Sequence, residues 1–106
     1  MPKYLTRANL TPDGVKGTLK EGGTARRAAI ERLAESLGMR LEAFYYGFGE
    51  DDVYAIIDAP DNVAAAASAM AVNAAGTSHV KTVVLITPEE MDEVSKRRAE
   101  YAPPGG

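Results

Sequence analysis

Two hydrophobic periodicities alternate along the chain and predict its secondary structure. Four segments are rich in apolar, aromatic and β-branched residues, and in the first two of them apolar and polar positions alternate, which is typical of strands. These predicted strands are residues 4–10, 39–48, 53–59 and 80–87. Elsewhere the apolar positions lie three or four residues apart, which is typical of a helix packed on one side. The predicted helices are residues 12–37, interrupted at Gly22 and Gly23, residues 61–76 and residues 88–98.

Cap and turn residues support these boundaries. Thr11 and Thr87 are each followed by proline, which favours the first helical position. Glu90 completes a capping box with Thr87, and Asp61 can cap the middle helix. The acidic turn at residues 49–52 joins the second and third strands into a hairpin, and we expect its carboxylates to be solvated.

The order of the elements is β-α-β-β-α-β followed by a terminal helix, which is the ferredoxin-like α+β arrangement. We assign residues 1–100 to a single domain and residues 101–106 to an extended Pro/Gly tail. Right-handed crossovers place both internal helices on the same face of a four-stranded antiparallel sheet. The middle helix is rich in alanine and can lie close to that sheet. The alanines predicted to face inward are Ala66, Ala67, Ala71 and Ala74.

The other face of the predicted sheet has no helix to cover it. Strict alternation assigns to it the apolar residues Leu5, Phe44, Tyr46, Phe48, Tyr54, Ile56, Val83 and Leu85. Monomeric proteins seldom expose a contiguous apolar patch of this kind. We therefore expect a second copy to stack sheet to sheet, forming a dimer with a barrel-like interior. The alternative is that the terminal helix folds back over its own sheet.

Composition narrows the possible chemistry. The 106 residues include no cysteine and one histidine, and the net charge is −3. Disulfides, thiolate nucleophiles and cysteine metal sites are therefore excluded, and we expect no metal and no cofactor. The acidic balance argues against nucleic-acid partners, and no apolar run approaches the roughly 20 residues of a membrane span. We expect a cytoplasmic protein whose partners are a second copy of itself and a small molecule.

Three segments carry a resemblance to a known family. They are residues 48–61, FGEDDVYAIIDAPD, residues 87–90, TPEE, and residues 11–16, TPDGVK, and together with the alanine-rich helix they resemble the GYD domain family. The resemblance implies a dimeric α/β barrel. It implies no particular activity, because related barrels include ligand binders, cofactor-independent oxygenases, isomerases and haem enzymes. Asp51 stands where the family usually has the tyrosine of its Gly-x-Tyr-Asp turn.

The alternation that selects the uncovered face also collects polar and aromatic side chains there. The predicted ligand-binding residues are Arg7, Glu42, Tyr46, Tyr54, Asp58, His79 and Lys81. An imidazole transfers protons near neutral pH, so His79 is the candidate general base, oriented by Glu42 or Asp58. Tyr46 is a further catalytic candidate. The structural alternatives are a solvated His79 at the edge of its strand and cross-strand ion pairs among the charged residues.

A second candidate site follows the glycine pair that interrupts the first helix. Thr24 can cap the resumed helix, and Arg26 and Arg27 then lie in its first turn, where the helix dipole disfavours positive charge. A bound carboxylate or phosphate would relieve that repulsion. Thr24, Arg26 and Arg27 are therefore the anion-binding candidates. The alternative is that the arginines are solvated and paired with Glu31 or Glu35.

These observations predict a homo-oligomeric domain that binds a small, partly apolar, anionic molecule between the sheets of two copies. Two alternatives stay open. One is a structural or interaction module whose interior is fully packed, and the other is a cofactor-independent oxygenase or isomerase. A cavity larger than about 300 Å³ would distinguish ligand binding from the packed module.

Overall fold

The computed structural model describes residues 1–106 and confirms an α+β, ferredoxin-like fold. The elements in chain order are β1 (Lys3–Leu10), α1 (Pro12–Glu21), α2 (Gly23–Ser36), β2 (Arg40–Tyr46), β3 (Val53–Asp58), α3 (Asn62–Ala74), β4 (Ser78–Leu85) and α4 (Pro88–Lys96). Every predicted strand and helix is present, and the predicted bounds differ from these by a few residues. None of the helices has the length and apolarity needed to cross a bilayer.

The four strands form one antiparallel sheet in the order β2-β3-β1-β4. β1 and β3 are central, whereas β2 and β4 are the edges. On one face α2 packs against β2 and α3 packs against β4, so the two helices stand over opposite edges of the sheet. We call this the covered face. The opposite face carries no helix, as predicted, and we call it the uncovered face.

Local chemistry explains where the helices begin and end. The Thr11 hydroxyl accepts a hydrogen bond from the Gly14 amide at 3.2 Å, and Thr87 forms the predicted capping box with Glu90. Gly22, with a φ of 89°, separates α1 from α2. The prediction that Thr24 caps α2 is wrong, because α2 already begins at Gly23 and has no side-chain cap.

The packed core is small and lies at one end of the covered face. Its buried apolar residues are Tyr4, Ala34, Met39, Ala55, Ile57 and Ala59. The Tyr4 hydroxyl donates a 2.6 Å hydrogen bond to the side-chain oxygen Oδ1 of Asn62, which links β1 to the start of α3. Only 11 of the 106 residues are buried, so most of the chain's apolar surface has some contact with solvent.

The inward face of α3 differs in part from the one predicted. The four alanines expected to face the sheet, Ala66, Ala67, Ala71 and Ala74, are exposed, and Ala71 alone among them lines the space between the helices and the sheet. The partly buried positions are Ala64, Ala65, Ser68, Ala69 and Val72. A run of alanines has almost no apolar stripe to set the rotation of a helix, so anchors at its two ends set it. These are the Asn62 contact with Tyr4 and the 2.8 Å hydrogen bond from the Val80 amide to Asn73 Oδ1.

Helix α4 stands apart from the rest of the chain. None of its residues is buried. The chain measures 56 × 33 × 22 Å, and its radius of gyration is 16.9 Å, whereas a compact chain of this length has about 13 Å. The alternative in which the terminal helix folds back over its own sheet is therefore wrong, and the uncovered face is left without a cover from this chain.

Candidate functional site

A β-bulge in β2 decides which side chains reach each face of the sheet. Leu41 pairs with Ile57 and Ala43 pairs with Ile56, so Glu42 is an extra residue without a partner. One extra residue reverses the alternation of every side chain that follows it. The predicted placement of Phe44 and Tyr46 on the uncovered face is therefore wrong, because both point to the covered face. Tyr45 takes the uncovered side instead.

The covered face contains a cavity of about 480 Å³ between the sheet and helices α1, α2 and α3. Hydrophobic residues make up 14 of the 23 that line it. The floor is made of small side chains on the central strands, including Thr6, Ala8 and Ala55. The walls include Gly17 of α1, Ile30 of α2 and Val72 of α3, and Phe44 and Tyr46 of β2 close one side.

The cavity results from small residues and from the separation of the helices. Because α2 and α3 stand over opposite edges of the sheet, they cover the central strands only at the end near Tyr4, and the end near Ala8 and Val53 lies open between them. Gly14 lets α1 approach the chain just before β4, since a Cβ atom there would lie 1.9 Å from the Thr77 carbonyl oxygen. At Gly17 an added Cβ would meet no atom within 4 Å, because it would point into open space. Thus Gly14 lets α1 pack closely at one point, and Gly17 leaves open space beside α1.

Two polar side chains meet at one end of the cavity. The ring of Tyr46 packs edge to face on Phe44, with the ring centres 5.3 Å apart. A Cβ on Gly23 would lie 3.1 Å from that Tyr46 ring, which places the ring against the start of α2. Arg26, one turn further along α2, also lines the cavity and lies 3.7 Å from the Glu21 carboxylate. Burial raises the pKa of the Tyr46 phenol and the Arg26 charge opposes that rise, so the phenol stays protonated at neutral pH.

The three anion-binding candidates therefore do not form one site. Arg26 faces the cavity, whereas Thr24 is exposed within the first turn of α2. Arg27 is exposed and lies 3.8 Å from Glu31 one turn away, which is the structural alternative for that residue. The sequence assigned Tyr46 to the ligand-binding site and Arg26 to the anion-binding site. In the structure both residues line the same cavity.

The uncovered face has an apolar strip along its middle. Leu5 pairs with Ile56 on β3 and with Val83 on β4. Together with Tyr54 and Leu85 on the same face, these residues form what we call the apolar strip. All five were predicted for this face. Phe48 was also predicted there, but it lies in the β2–β3 loop and is fully exposed.

An ion-pair cluster occupies the Lys3 end of this strip. The Lys3 ammonium contacts Glu42 Oε2 at 2.9 Å and Asp58 Oδ1 at 2.7 Å, and Arg40 contacts Asp58 Oδ2 at 2.7 Å. The hydrogen bond from Lys3, helped by Arg40, lowers the pKa of Asp58. The same bond, together with that to Glu42, raises the pKa of Lys3. Glu42 is thus engaged in the cross-strand pairing foreseen as its structural alternative, and Asp58 is paired as well, which was not foreseen.

A second charged cluster occupies the other end of the strip and centres on Asp51. This residue is only 1% exposed. Lys81 lies 2.6 Å from its Oδ1 and Arg7 lies 3.5 Å from its Oδ2. The expectation of a solvated acidic turn is therefore wrong for Asp51. It is also wrong for Asp52, whose carboxylate accepts a 2.9 Å hydrogen bond from the Leu10 amide.

The sequence held a signal for this buried carboxylate. Arg7 and Lys81 lie directly opposite each other on β1 and β4, and like charges in that position repel. A carboxylate placed between them removes the repulsion. Asp51 takes that position because the β2–β3 turn folds back over the end of the strands, where the Asp52 amide donates to the Ala8 carbonyl at 2.9 Å.

The structure does not bring the three catalytic candidates together within one chain. His79 is an exposed residue of the edge strand β4, where it pairs with Asn9 of β1. Glu42 is on the other edge strand, about 14 Å away across the sheet and also displaced toward the Lys3 end, so that it is roughly 20 Å from His79. Tyr46 points to the opposite face. Asp58, on β3, pairs with Lys3 at the first end of β1, which is about 20 Å along the strands from His79. No group of three or more His, Asp or Glu side chains is placed to hold a metal ion.

Comparison with known proteins gives one match. The model of the GYD domain family matches residues 4–94, which is most of the chain. No curated protein and no solved structure matches the chain. The matched region includes all of the sheet, α1, α2 and α3, and therefore every element that contributes to the cavity.

Proposed function

The chain belongs to the GYD domain family, and on that premise we propose that it is a homodimeric binding domain whose covered-face cavity takes a small, mainly apolar molecule. The proposal moves the ligand site from the interior between two sheets, where the sequence suggested it, to the space between sheet and helices within each chain. The observation that carries it is the 480 Å³ cavity.

The size and lining of the cavity support a ligand over a packing defect. Small-molecule sites measure about 300–1,000 Å³ and are mostly apolar with a few polar groups. The cavity is partly open to solvent, because its lining residues Glu21, Ala75 and Thr77 are exposed, so a molecule can enter it. The runner-up function, a module with a fully packed interior between two sheets, concerns a different space and stays a prediction.

A neutral fluorescent probe tests cavity binding. N-phenyl-1-naphthylamine should bind the wild-type chain saturably, at one site per chain. Gly17→Leu, which fills open space in the α1 wall, should weaken binding at least tenfold. Lys20→Leu adds the same side chain to an exposed position of α1 and should leave binding unchanged. Equal binding by wild type and Gly17→Leu, or no saturable binding at all, would refute the cavity as a ligand site.

The exposed area of the chain supports the dimer. A compact monomer of 11.2 kDa exposes about 5,700 Å². This chain exposes 7403 Å², an excess of roughly 1,700 Å² over that expectation, and a standard interface buries about 800 Å² on each partner. The excess is therefore large enough for a complete interface with a second copy.

Two surfaces can supply that interface. One is the apolar strip on the uncovered face. The other is α4, on which Met91 and Val94 are both about half exposed, one turn apart. Sheet-to-sheet stacking of two copies covers the strip, and each projecting α4 can then contact the other copy. The family resemblance points to the same assembly.

Light scattering coupled to gel filtration tests the dimer. The wild-type chain should elute at twice 11.2 kDa. Ile56→Glu, at the centre of the apolar strip, should shift the mass to that of one chain while circular dichroism keeps its folded signature. Val63→Glu makes the same change at an exposed position of α3 and should leave the mass doubled. A wild-type mass of one chain would refute the dimer.

A further inference from the structure

We propose that the ligand of the covered-face cavity is an apolar monocarboxylic acid whose carboxylate is held by Arg26 and Tyr46. The inference rests on the proposed function and names the class of molecule that the cavity selects. It joins an arginine and a tyrosine that the sequence assigned to different sites and that the fold brings to one end of one cavity.

The positions of the charged residues in the cavity lining determine which end of a ligand carries its anionic group. Arg26 is the one cationic side chain in the lining, and the acidic lining residues are Asp13 and Glu21. Asp13 lies in the first turn of α1 and Glu21 in its last turn, about 12 Å away along the helix axis. Glu21 is therefore at the Arg26 end, where it pairs with Arg26, and Arg26 is the one group in the lining that attracts an anion. The remaining wall is mainly Ala, Val, Ile, Leu and Phe, which suits a neutral apolar tail.

The two polar groups at that end have hydrogen-bonding capacity to spare. Arg26 contacts Glu21 at 3.7 Å, with the two side chains 36% and 49% exposed, and exposed pairs of this kind contribute little. The Tyr46 hydroxyl has no hydrogen-bond partner within the chain, and its phenol remains protonated because burial raises its pKa. A ligand carboxylate can accept from both groups while Glu21 turns to solvent.

The donor set fits a carboxylate better than a phosphate. A guanidinium binds a carboxylate through two parallel hydrogen bonds, and the neutral phenol adds one more donor. One cation balances one negative charge. A phosphate dianion would keep an unbalanced charge beside Glu21, because no second cation lines the cavity. The edge-to-face pair of Phe44 and Tyr46 offers a wall against which a ring next to the carboxylate can pack.

Matched acid and amide probes test the proposal by titration calorimetry. The pairs are 2-naphthoate with 2-naphthamide and decanoate with decanamide, which differ mainly in charge. In the wild type at least one acid should bind about tenfold or more tighter than its amide. Arg26→Gln should reduce that ratio to about one, and Tyr46→Phe should reduce it severalfold. Arg27→Gln removes a charge one residue away, outside the cavity, and should keep the wild-type ratio.

Each outcome separates the acid proposal from the cavity proposal. Equal affinities for acid and amide, or no binding of either pair while N-phenyl-1-naphthylamine binds, would overturn the acid class and leave the cavity as a site for neutral molecules. A loss of the ratio in Arg27→Gln equal to that in Arg26→Gln would overturn the assignment to Arg26, because general surface charge would then explain it. No binding of any probe would remove the cavity site itself. Arg26→Lys, which keeps the charge, should retain part of the ratio, and circular dichroism checks that each variant is folded.

Discussion

The two faces of the sheet differ in what holds them together. The covered face has helices over it, yet the middle of that face is open because the side chains there are small and the helices stand over the edges. The uncovered face has no helix, yet its charges are paired, with contacts of 2.6–3.5 Å around Asp51 and Lys3. Helical cover therefore leaves free volume on one face, whereas the face without helices is held by ion pairs.

The difference suggests a division of roles between the faces. Ion pairs at both ends of the apolar strip hold β1, β3 and β4 and the β2–β3 turn in place, and in the proposed function this face binds a second copy. The free volume of the covered face is the proposed ligand site. Substitutions on each face should accordingly have different consequences, and the following predictions run from the largest expected effect on stability to the smallest.

Gly14→Ala should have the largest effect. Its Cβ would lie 1.9 Å from the Thr77 carbonyl oxygen, so α1 must shift away from the sheet, at a cost of about 3 kcal/mol. Gly17→Ala is the matched control in the same helix and should be stabilising by about 0.5–1 kcal/mol. Urea denaturation of both variants measures the difference. Equal effects would show that the wall of the cavity is not rigid at Gly14.

Asp51→Ala should destabilise the uncovered face. It leaves Lys81 and Arg7 facing each other without their carboxylate, and breaking a buried pair of this kind costs several kcal/mol, which we reduce to about 2 kcal/mol because both cations are partly exposed. Glu50→Ala, at the exposed neighbour in the same turn, should change stability by less than about 0.5 kcal/mol. The comparison fails if the two variants unfold at the same urea concentration.

Asp58 should make the uncovered face sensitive to acid. Its pKa is lowered from the ordinary value of 3.8 by Lys3 and Arg40, so its contribution to stability is complete above that value and is lost as the pH falls through the lower pKa of the folded state. The Asp58→Asn variant should lose about 1 kcal/mol at neutral pH.

The measurement for Asp58 is urea unfolding of wild type and Asp58→Asn at pH 7 and at pH 3. The stability gap between the two proteins should narrow at the lower pH, because pH 3 lies below the ordinary pKa of 3.8, where the unfolded wild-type chain takes up a proton at Asp58 more readily than the folded chain does. A gap that stays constant would show that the contacts with Lys3 and Arg40 do not depend on the charge of Asp58.

The fold could be predicted because its signals are local. Thr11, Thr87 and Asp61 cap helices through their own side chains, and the order of strands and helices then leaves few possible topologies. The same reasoning could not place Phe44 and Tyr46, since a bulge at Glu42 reverses the alternation without any glycine or proline to mark it.

The site was harder to predict because it depends on several elements at once. The rotation of α3 is set by contacts of Asn62 and Asn73 with other elements, which no pattern within an alanine-rich helix can reveal. The cavity is the space left by three helices and two central strands. Arg26 was found because two arginines are unusual in the first turn of a helix, but only the fold shows that Arg26, and not Arg27, reaches Tyr46.

Native mass spectrometry with 2-naphthoate tests the central division of roles most directly, because it reports assembly and ligand content together. The account predicts that the wild type appears at twice the 11.2 kDa chain mass with one naphthoate per chain, and that Gly17→Leu keeps the doubled mass but carries none. Naphthoate retained in full by Gly17→Leu, or a wild type at the mass of one chain, would contradict it.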